Sequence, residues 1–228
     1  MTEPSVPVVT IDGPSGVGKG TVARALSRRL HWHLLDSGAL YRILALAAQR
    51  DGIPLDDSAR VAALAPRLDI VFSAAADAEA ILVDGVDVTA QVRLETTGGL
   101  ASQIAAVPQV RAALLQRQRD FMQPPGLVAD GRDMGTIVFP DAPLKIFLDA
   151  SAEERARRRF RQLRDAGKPA KLDGLCAEIR ARDLRDRERA TAPLRPADDA
   201  VVIDTTHISA DSVFVQVVDL LAVRGLGG

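Results

Sequence analysis

Gly13-Pro14-Ser15-Gly16-Val17-Gly18-Lys19-Gly20-Thr21 is the stretch on which the fold of this 228-residue chain turns. The apolar run Val6 to Ile11, interrupted by Pro7, precedes it, and Val22-Ala23-Arg24-Ala25-Leu26 follows with helical periodicity. Strand, glycine-rich turn and helix form the context that a phosphate-binding loop requires. The reason is geometric. Glycine at positions 13, 16, 18 and 20 lets the backbone curl with its N–H groups turned inward, and the helix behind it adds its positive end. Lys19 supplies a point charge for the outer phosphates. In the common pattern a Ser or Thr stands directly after the Lys and gives its hydroxyl to Mg²⁺. Here Gly20 holds that place and Thr21 comes one later. The loop reads as the seat of a nucleoside triphosphate and leaves the acceptor open.

Outward from the loop, the chain alternates short apolar runs with helical patterns. Trp32 to Leu35 reads as a second strand, and Ser37 as the cap of a helix through Leu40, Ile43, Leu44 and Ala48. Tyr41 and Arg42 fall in its first turn. His31 and His33 flank Trp32 on one strand face at period two; with no third ligand near, they read as surface histidines rather than a metal site. Asp56 to Leu64 suggests a short helix. Leu68 to Phe72, Ala80 to Val83 and Val86 to Val88 then cluster around turns such as Asp84-Gly85, which predicts a small antiparallel meander over about 66–92. Gly98-Gly99 reads as a break before helices over Leu100 to Ala106 and Val110 to Phe121, a region that includes Ser102 and Arg111.

Leu127-Val128-Ala129 is the third strand of the main series and ends in Asp130-Gly131-Arg132-Asp133. Two carboxylates and a guanidinium at the carboxyl end of a buried strand stand where open parallel sheets bind ligands. Leu144 to Leu148 and Val201 to Asp204 complete the series, and a helix from Ser209 to Val223 closes it. The expected fold is α/β: a P-loop NTPase fold with a five-stranded parallel sheet flanked by helices, a small antiparallel insertion and a helical lid. One domain over 1–228 is expected, with the meander inside a region at about 37–124 and a lid at about 151–192.

Composition limits the function classes. A net charge of −1 excludes a globally basic nucleic-acid binder. No apolar run approaches a membrane span and the first residues do not read as a leader, so a soluble cytoplasmic protein is expected. Cys176 is the only cysteine, which fits a reducing compartment. Charge is nonetheless uneven: Ser151 to Arg195 holds fourteen Arg or Lys against eight Asp or Glu, a balance of +6, while the remainder is −7. Only four lysines occur in the chain, so this cationic chemistry is written in arginine, whose planar fork grips phosphate bidentately. Two helices around Gly167 to Lys171 read as a lid, and i,i+4 pairs such as Glu154 with Arg158 and Asp183 with Arg187 account for many of the charges. An RNA-binding helix pair is the competing reading, but Phe160 is the segment's only aromatic residue. A guanine-reading switch is disfavoured because the chain has no asparagine for an Asn-Lys-x-Asp motif.

Four stretches together resemble the bacterial cytidylate kinases over essentially the whole chain: Ile11 to Thr21, Leu34 to Arg42, Ala129 to Thr136 and Arg182 to Arg189. The resemblance implies transfer of the γ-phosphoryl group of ATP to CMP or dCMP with Mg²⁺, by a monomer with no nucleic-acid or membrane partner. It implies that Gly13, Pro14, Ser15, Gly16, Val17, Gly18, Lys19, Gly20 and Thr21 bind ATP, and that Lys19, Arg132 and Arg189 serve the transfer. Ser102, Arg111 and Asp133 are implied to contact cytosine, Arg182 and Asp186 the sugar, and Arg42, Arg132 and Arg189 the CMP phosphate, with Ser37 and Tyr41 lining the pocket. Mg²⁺ is expected to be held mainly by the phosphates and water, near Thr21 or Asp130. Another small P-loop kinase, acting on UMP, AMP or a metabolite, is the alternative enzyme.

Overall fold

The computed structural model describes residues 6–75 and 78–226. In chain order its first elements are β1 (Val8–Asp12), α1 (Lys19–Leu30), β2 (His33–Asp36), α2 (Ser37–Arg50), α3 (Ser58–Leu64), β3 (Ile70–Ala75), β4 (Ala78–Val83) and β5 (Val86–Asp87). Then follow α4 (Thr89–Val92), α5 (Glu95–Ile104), α6 (Pro108–Arg119), β6 (Leu127–Gly131), β7 (Leu144–Asp149), α7 (Ala152–Asp165), α8 (Leu172–Glu188), β8 (Val201–Asp204) and α9 (Ala210–Val223). A π-helical turn, Met134–Val138, lies between β6 and β7. Two compact units result: Met1–Asp36 with Arg119–Gly228, and Ser37–Gln118.

The first unit is built on a five-stranded sheet in the order β2-β6-β1-β7-β8, with every pairing parallel. The central strands β1, β6 and β7 read as continuous apolar runs because both faces are covered, whereas Val202 of the edge strand β8 is exposed. Period two divides their side chains. Val9 and Ile11 of β1 and Leu144, Ile146 and Leu148 of β7 share a core with Val22 and Leu26 of α1 and Val213, Val217 and Leu221 of α9. Each such buried side chain is worth about 1.5–3 kcal/mol. Thr10 and Asp12 alternate with Val9 and Ile11 and meet the π-helical turn instead, for Asp12 accepts its first N–H groups and a Cβ on Gly135 would lie 2.9 Å from Thr10 Oγ1. Sheet order therefore sets the carboxyl ends of β1, β6 and β2 side by side, with Asp12 opposite Gly131 and Asp36 opposite Asp130.

Some boundaries differ from the sequence expectation. Strand β2 starts at His33 rather than Trp32, because α1 ends on His31 in the left-handed region (φ 54°). The two histidines therefore do not share a strand face; both are exposed. Both helices expected over the arginine-rich segment form, with Ser151 capping α7 through the Glu154 N–H.

In the second unit α2 packs on α5, and β3, β4 and β5 form the antiparallel meander in sequence order. Residues 76–77 at its first turn lie outside the described residues. Arg50 Nη1 reaches Asp84 Oδ2 at 2.9 Å and ties the end of α2 to the second turn. Gly98-Gly99 does not break the chain but lies inside α5. Room for a neighbour is the reason at Gly98, whose missing Cβ makes space for the Arg42 guanidinium. Ser37 is the first residue of α2 rather than its cap, and its hydroxyl donates to Gln118 Oε1 at 2.7 Å. Helix α4 was not legible in the sequence. Among the described residues no helix is long and apolar enough to cross a membrane.

Candidate active site

The glycine loop fills the gap between β1 and α1, and its backbone explains its composition. Gly13, Gly16 and Gly18 have φ of 145°, 83° and 98°, a region that side chains rarely adopt. At Gly13 a Cβ would also run into the Leu148 carbonyl of β7. Val17 anchors the loop in the core, while Thr21 is exposed. Lys19 is buried, and its Nζ donates to the Pro14 carbonyl at 2.8 Å, folding the side chain back over the loop. The loop forms one wall of a cavity of about 820 Å³ lined also by Arg132, Arg158, Arg161, Thr205 and Ile208. Arg158 joins its walls by donating to Thr205 Oγ1 at 3.2 Å and to the Thr205 carbonyl.

Strand alternation sends two carboxylates to opposite faces beside this loop. Asp12 takes N–H groups from Met134 and Gly135, each at 2.8 Å. Burial pushes its carboxyl up to about 7, with those two N–H groups opposing and Asp133 adding to the rise. Asp130 faces α1: burial pushes it up to about 6, Lys19 opposes, and Asp36 beside it adds to the rise. Burial likewise brings Lys19 down to about 7, helped by Arg132 and opposed by Asp130 and Asp12. An anion entering the loop reverses the electrostatic cost of a charged Lys19. Asp130 also accounts for Gly20. A Cβ there would lie 3.1 Å from Arg24 Nη1 and 3.3 Å from Asp130 Oδ2.

Past β6 the turn meets the arginine-rich helix α8. Arg132 Nε donates to Asp186 Oδ2 at 3.1 Å. Asp133 Oδ1 lies 3.6 Å from Arg189 Nη2, both groups buried, and Arg189 Nε donates to the Ala192 carbonyl. Arg182 Nη1 lies 3.4 Å from Ser15 Oγ, so α8 also touches the loop. The first unit therefore gathers Lys19, Arg132, Asp133, Arg182, Asp186 and Arg189 around the ends of β1 and β6. Of the ion pairs expected from spacing in α7 and α8, Glu154 with Arg158 forms at 3.3 Å. Asp183 gives both carboxylate oxygens to Arg155 instead of pairing with Arg187, because its side of α8 is buried while Arg187 is exposed. Asp12 and the Arg155–Asp183 pair had no sequence signal beyond a carboxylate just ahead of the glycines.

In the second unit the Arg111 guanidinium lies 5.9 Å from the Tyr41 ring centroid and donates to the Ala105 carbonyl at 3.2 Å. Arg42 Nη1 donates to the carbonyls of Val92 and Leu94 at 2.8 and 3.0 Å. Ser102 is buried, and its hydroxyl has no hydrogen-bond partner among the described residues, a costly arrangement unless a ligand supplies one.

A sequence model of the family described as Cytidylate kinase matches residues 9–222. The cytidylate kinase of Stutzerimonas stutzeri (strain A1501) is 56% identical over 225 residues, covering 98% of this chain and 98% of that protein. The cytidylate kinase of Aeromonas hydrophila subsp. hydrophila is 57% identical over 211 residues, covering 92% of each. Among solved structures, a shikimate kinase from Bacteroides thetaiotaomicron matches with a TM-score of 0.45 and 14% identity, over 95% of this chain and 98% of that one.

Proposed function

The chain belongs to the cytidylate kinase family, and we propose that it holds ATP and CMP or dCMP in line while arginines neutralise the oxygens between them. It is a nucleotide kinase: the γ-phosphoryl group of ATP passes to an oxygen of the acceptor's phosphate, giving CDP or dCDP and ADP. The acceptor oxygen is already anionic near pH 7, so no base is needed to make a nucleophile. What the site must supply is alignment and charge neutralisation.

On this reading Gly13 to Thr21 cradles the donor phosphates and Lys19 neutralises their outer oxygens. Arg132 and Arg189 take the transferring and acceptor phosphates, joined by Arg42 of the second unit. Asp133 and, in the second unit, Ser102 and Arg111 read the cytosine edge, whose exocyclic amine donates and whose O2 and N3 accept. The orphaned Ser102 hydroxyl and the buried Asp133 carboxylate suit that task. Arg182 and Asp186 hold the sugar, and Ser37 and Tyr41 line the acceptor's place. Mg²⁺, held mainly by the phosphates and water, would find hard oxygens in the neighbouring carboxylates of Asp130 and Asp36, and would there shield phosphate charge.

One observation carries the reading. The end of β6 sets Asp130 beside Lys19, and the turn after it engages Asp186 and Arg189 through Arg132 and Asp133. A single short segment thus serves donor and acceptor chemistry together. Measuring ADP release from ATP with CMP, dCMP, UMP and AMP tests it; CMP and dCMP are expected to be preferred, and a preference for UMP or AMP sinks it.

A further inference from the structure

Arg155, near the start of α7, is among the largest fully buried side chains, only 2% exposed. Its Nε donates to the Ala150 carbonyl at 3.0 Å, its Nη1 to the Ser15 carbonyl at 3.1 Å and to Asp183 Oδ1 at 2.9 Å, and its Nη2 to Asp183 Oδ2. One guanidinium thereby joins the end of β7, the glycine loop and α8. A lysine has no such fork, and no single apolar side chain reproduces it.

Two consequences follow from the geometry. In a trans peptide the carbonyl and the next N–H point in opposite directions. Holding the Ser15 carbonyl toward Arg155 turns the Gly16 N–H the other way. On α8, Asp183 follows Arg182 directly and lies one turn ahead of Asp186, the partner of Arg132. Fixing Asp183 therefore fixes the rotation of the helix that carries Arg182, Asp186 and Arg189.

We propose that Arg155 and Asp183 are a positioning pair that aims the Gly16 N–H at the donor phosphates and, in the same contact, sets α8 to receive the acceptor. Neither touches a substrate; both act through the loop and the helix. The inference rests on the reading of Gly13 to Thr21 as the ATP site. A purely structural ion pair is the competing account, and in many proteins exchanging a buried pair for packed apolar groups is neutral or stabilising.

The test compares the wild type with Asp183→Asn and Arg155→Lys, recording Tm and initial rates with ATP and CMP varied in turn. Asp183→Asn keeps shape but weakens the bidentate grip. Expected, at a temperature where each variant is still folded, are a kcat lowered at least tenfold and a KM for CMP raised at least fivefold, with Tm lowered because a buried charge has lost its partner. Values of kcat and both KM within twofold of wild type overturn the proposal. Should the single variants lose their folded signal, the double variant Arg155→Met/Asp183→Leu carries the test. It removes both buried charges together, and recovery of kcat along with Tm would show the pair to be structural alone, whereas Tm recovering while kcat stays down supports positioning. Absence of CMP-dependent turnover in the wild type would instead overturn the assigned activity.

Discussion

Asp12 and Gly135, 123 residues apart in the chain, are joined by a 2.8 Å hydrogen bond from the glycine N–H to the carboxylate. Through it the residue just ahead of the glycine loop fixes the turn that follows Asp133. Burial raises the Asp12 carboxyl from 3.8 to about 7. Between those values the folded protein keeps a proton that the unfolded chain has lost. The stabilisation is therefore complete below about pH 4 and is lost as pH rises through 7. Asp12→Asn removes this dependence and sets an amide against an N–H, a constant loss of about 1–3 kcal/mol. Thermal melts from pH 5 to 8 are expected to show the variant's deficit shrinking as pH rises, by at most about 1.4 kcal/mol per unit. A deficit that stays flat would mean Asp12 is ionised throughout.

Lys19→Met should separate stability from activity. A buried ammonium held down to about 7 is a cost to the ligand-free fold, so near pH 7 the variant's Tm should be no lower than wild type. Turnover should fall by about 10²–10³ or more, and the rise in Tm on adding ATP should shrink. Unchanged turnover removes the phosphate-loop assignment.

Asp133→Asn alters a buried acceptor that lies against Arg189. The ratio of kcat/KM for CMP to that for UMP should drop by about tenfold or more, since a site built to pair a polar edge rejects its absence strongly. The KM for ATP should change far less. If the ratio holds, the base is read elsewhere.

Two glycine variants should behave differently. A Cβ at Gly98 would lie 2.8 Å from Arg42 Nη2, the movable end of a long side chain. Gly98→Ala should raise the KM for CMP severalfold with little change in Tm. Gly13→Ala meets backbone instead, at a φ of 145°, and should cost more than about 3 kcal/mol. Denaturant melts and steady-state kinetics on both proteins distinguish the two effects.

The sheet was legible because its central strands are buried on both faces and its strands read as short apolar runs between helical patterns. The loop was legible because glycines at fixed spacing serve one geometry. Ends of elements were less so: nothing local separates Trp32 from His33, or makes Gly98 a helical residue, until Arg42 is seen to need the space. Asp183 shows the deeper limit. Its spacing offers Arg187 as a partner, and only the packing of α7 on α8 brings Arg155, 28 residues earlier, within reach. Asp12 reads as an ordinary strand-end acid until the π-helical turn is laid across the sheet.

The scarcity of lysine has a practical side. Lys19 and Lys145 are buried, the second held by Asp199 at 2.9 Å, while Lys168 and Lys171 stand exposed in the link between α7 and α8. Among the described lysines, amine-directed reagents therefore have one short stretch to react with. A dye or spin probe introduced through ordinary lysine chemistry would settle in the link between α7 and α8 without any engineered cysteine. The arginines of α7 and α8 would be left untouched.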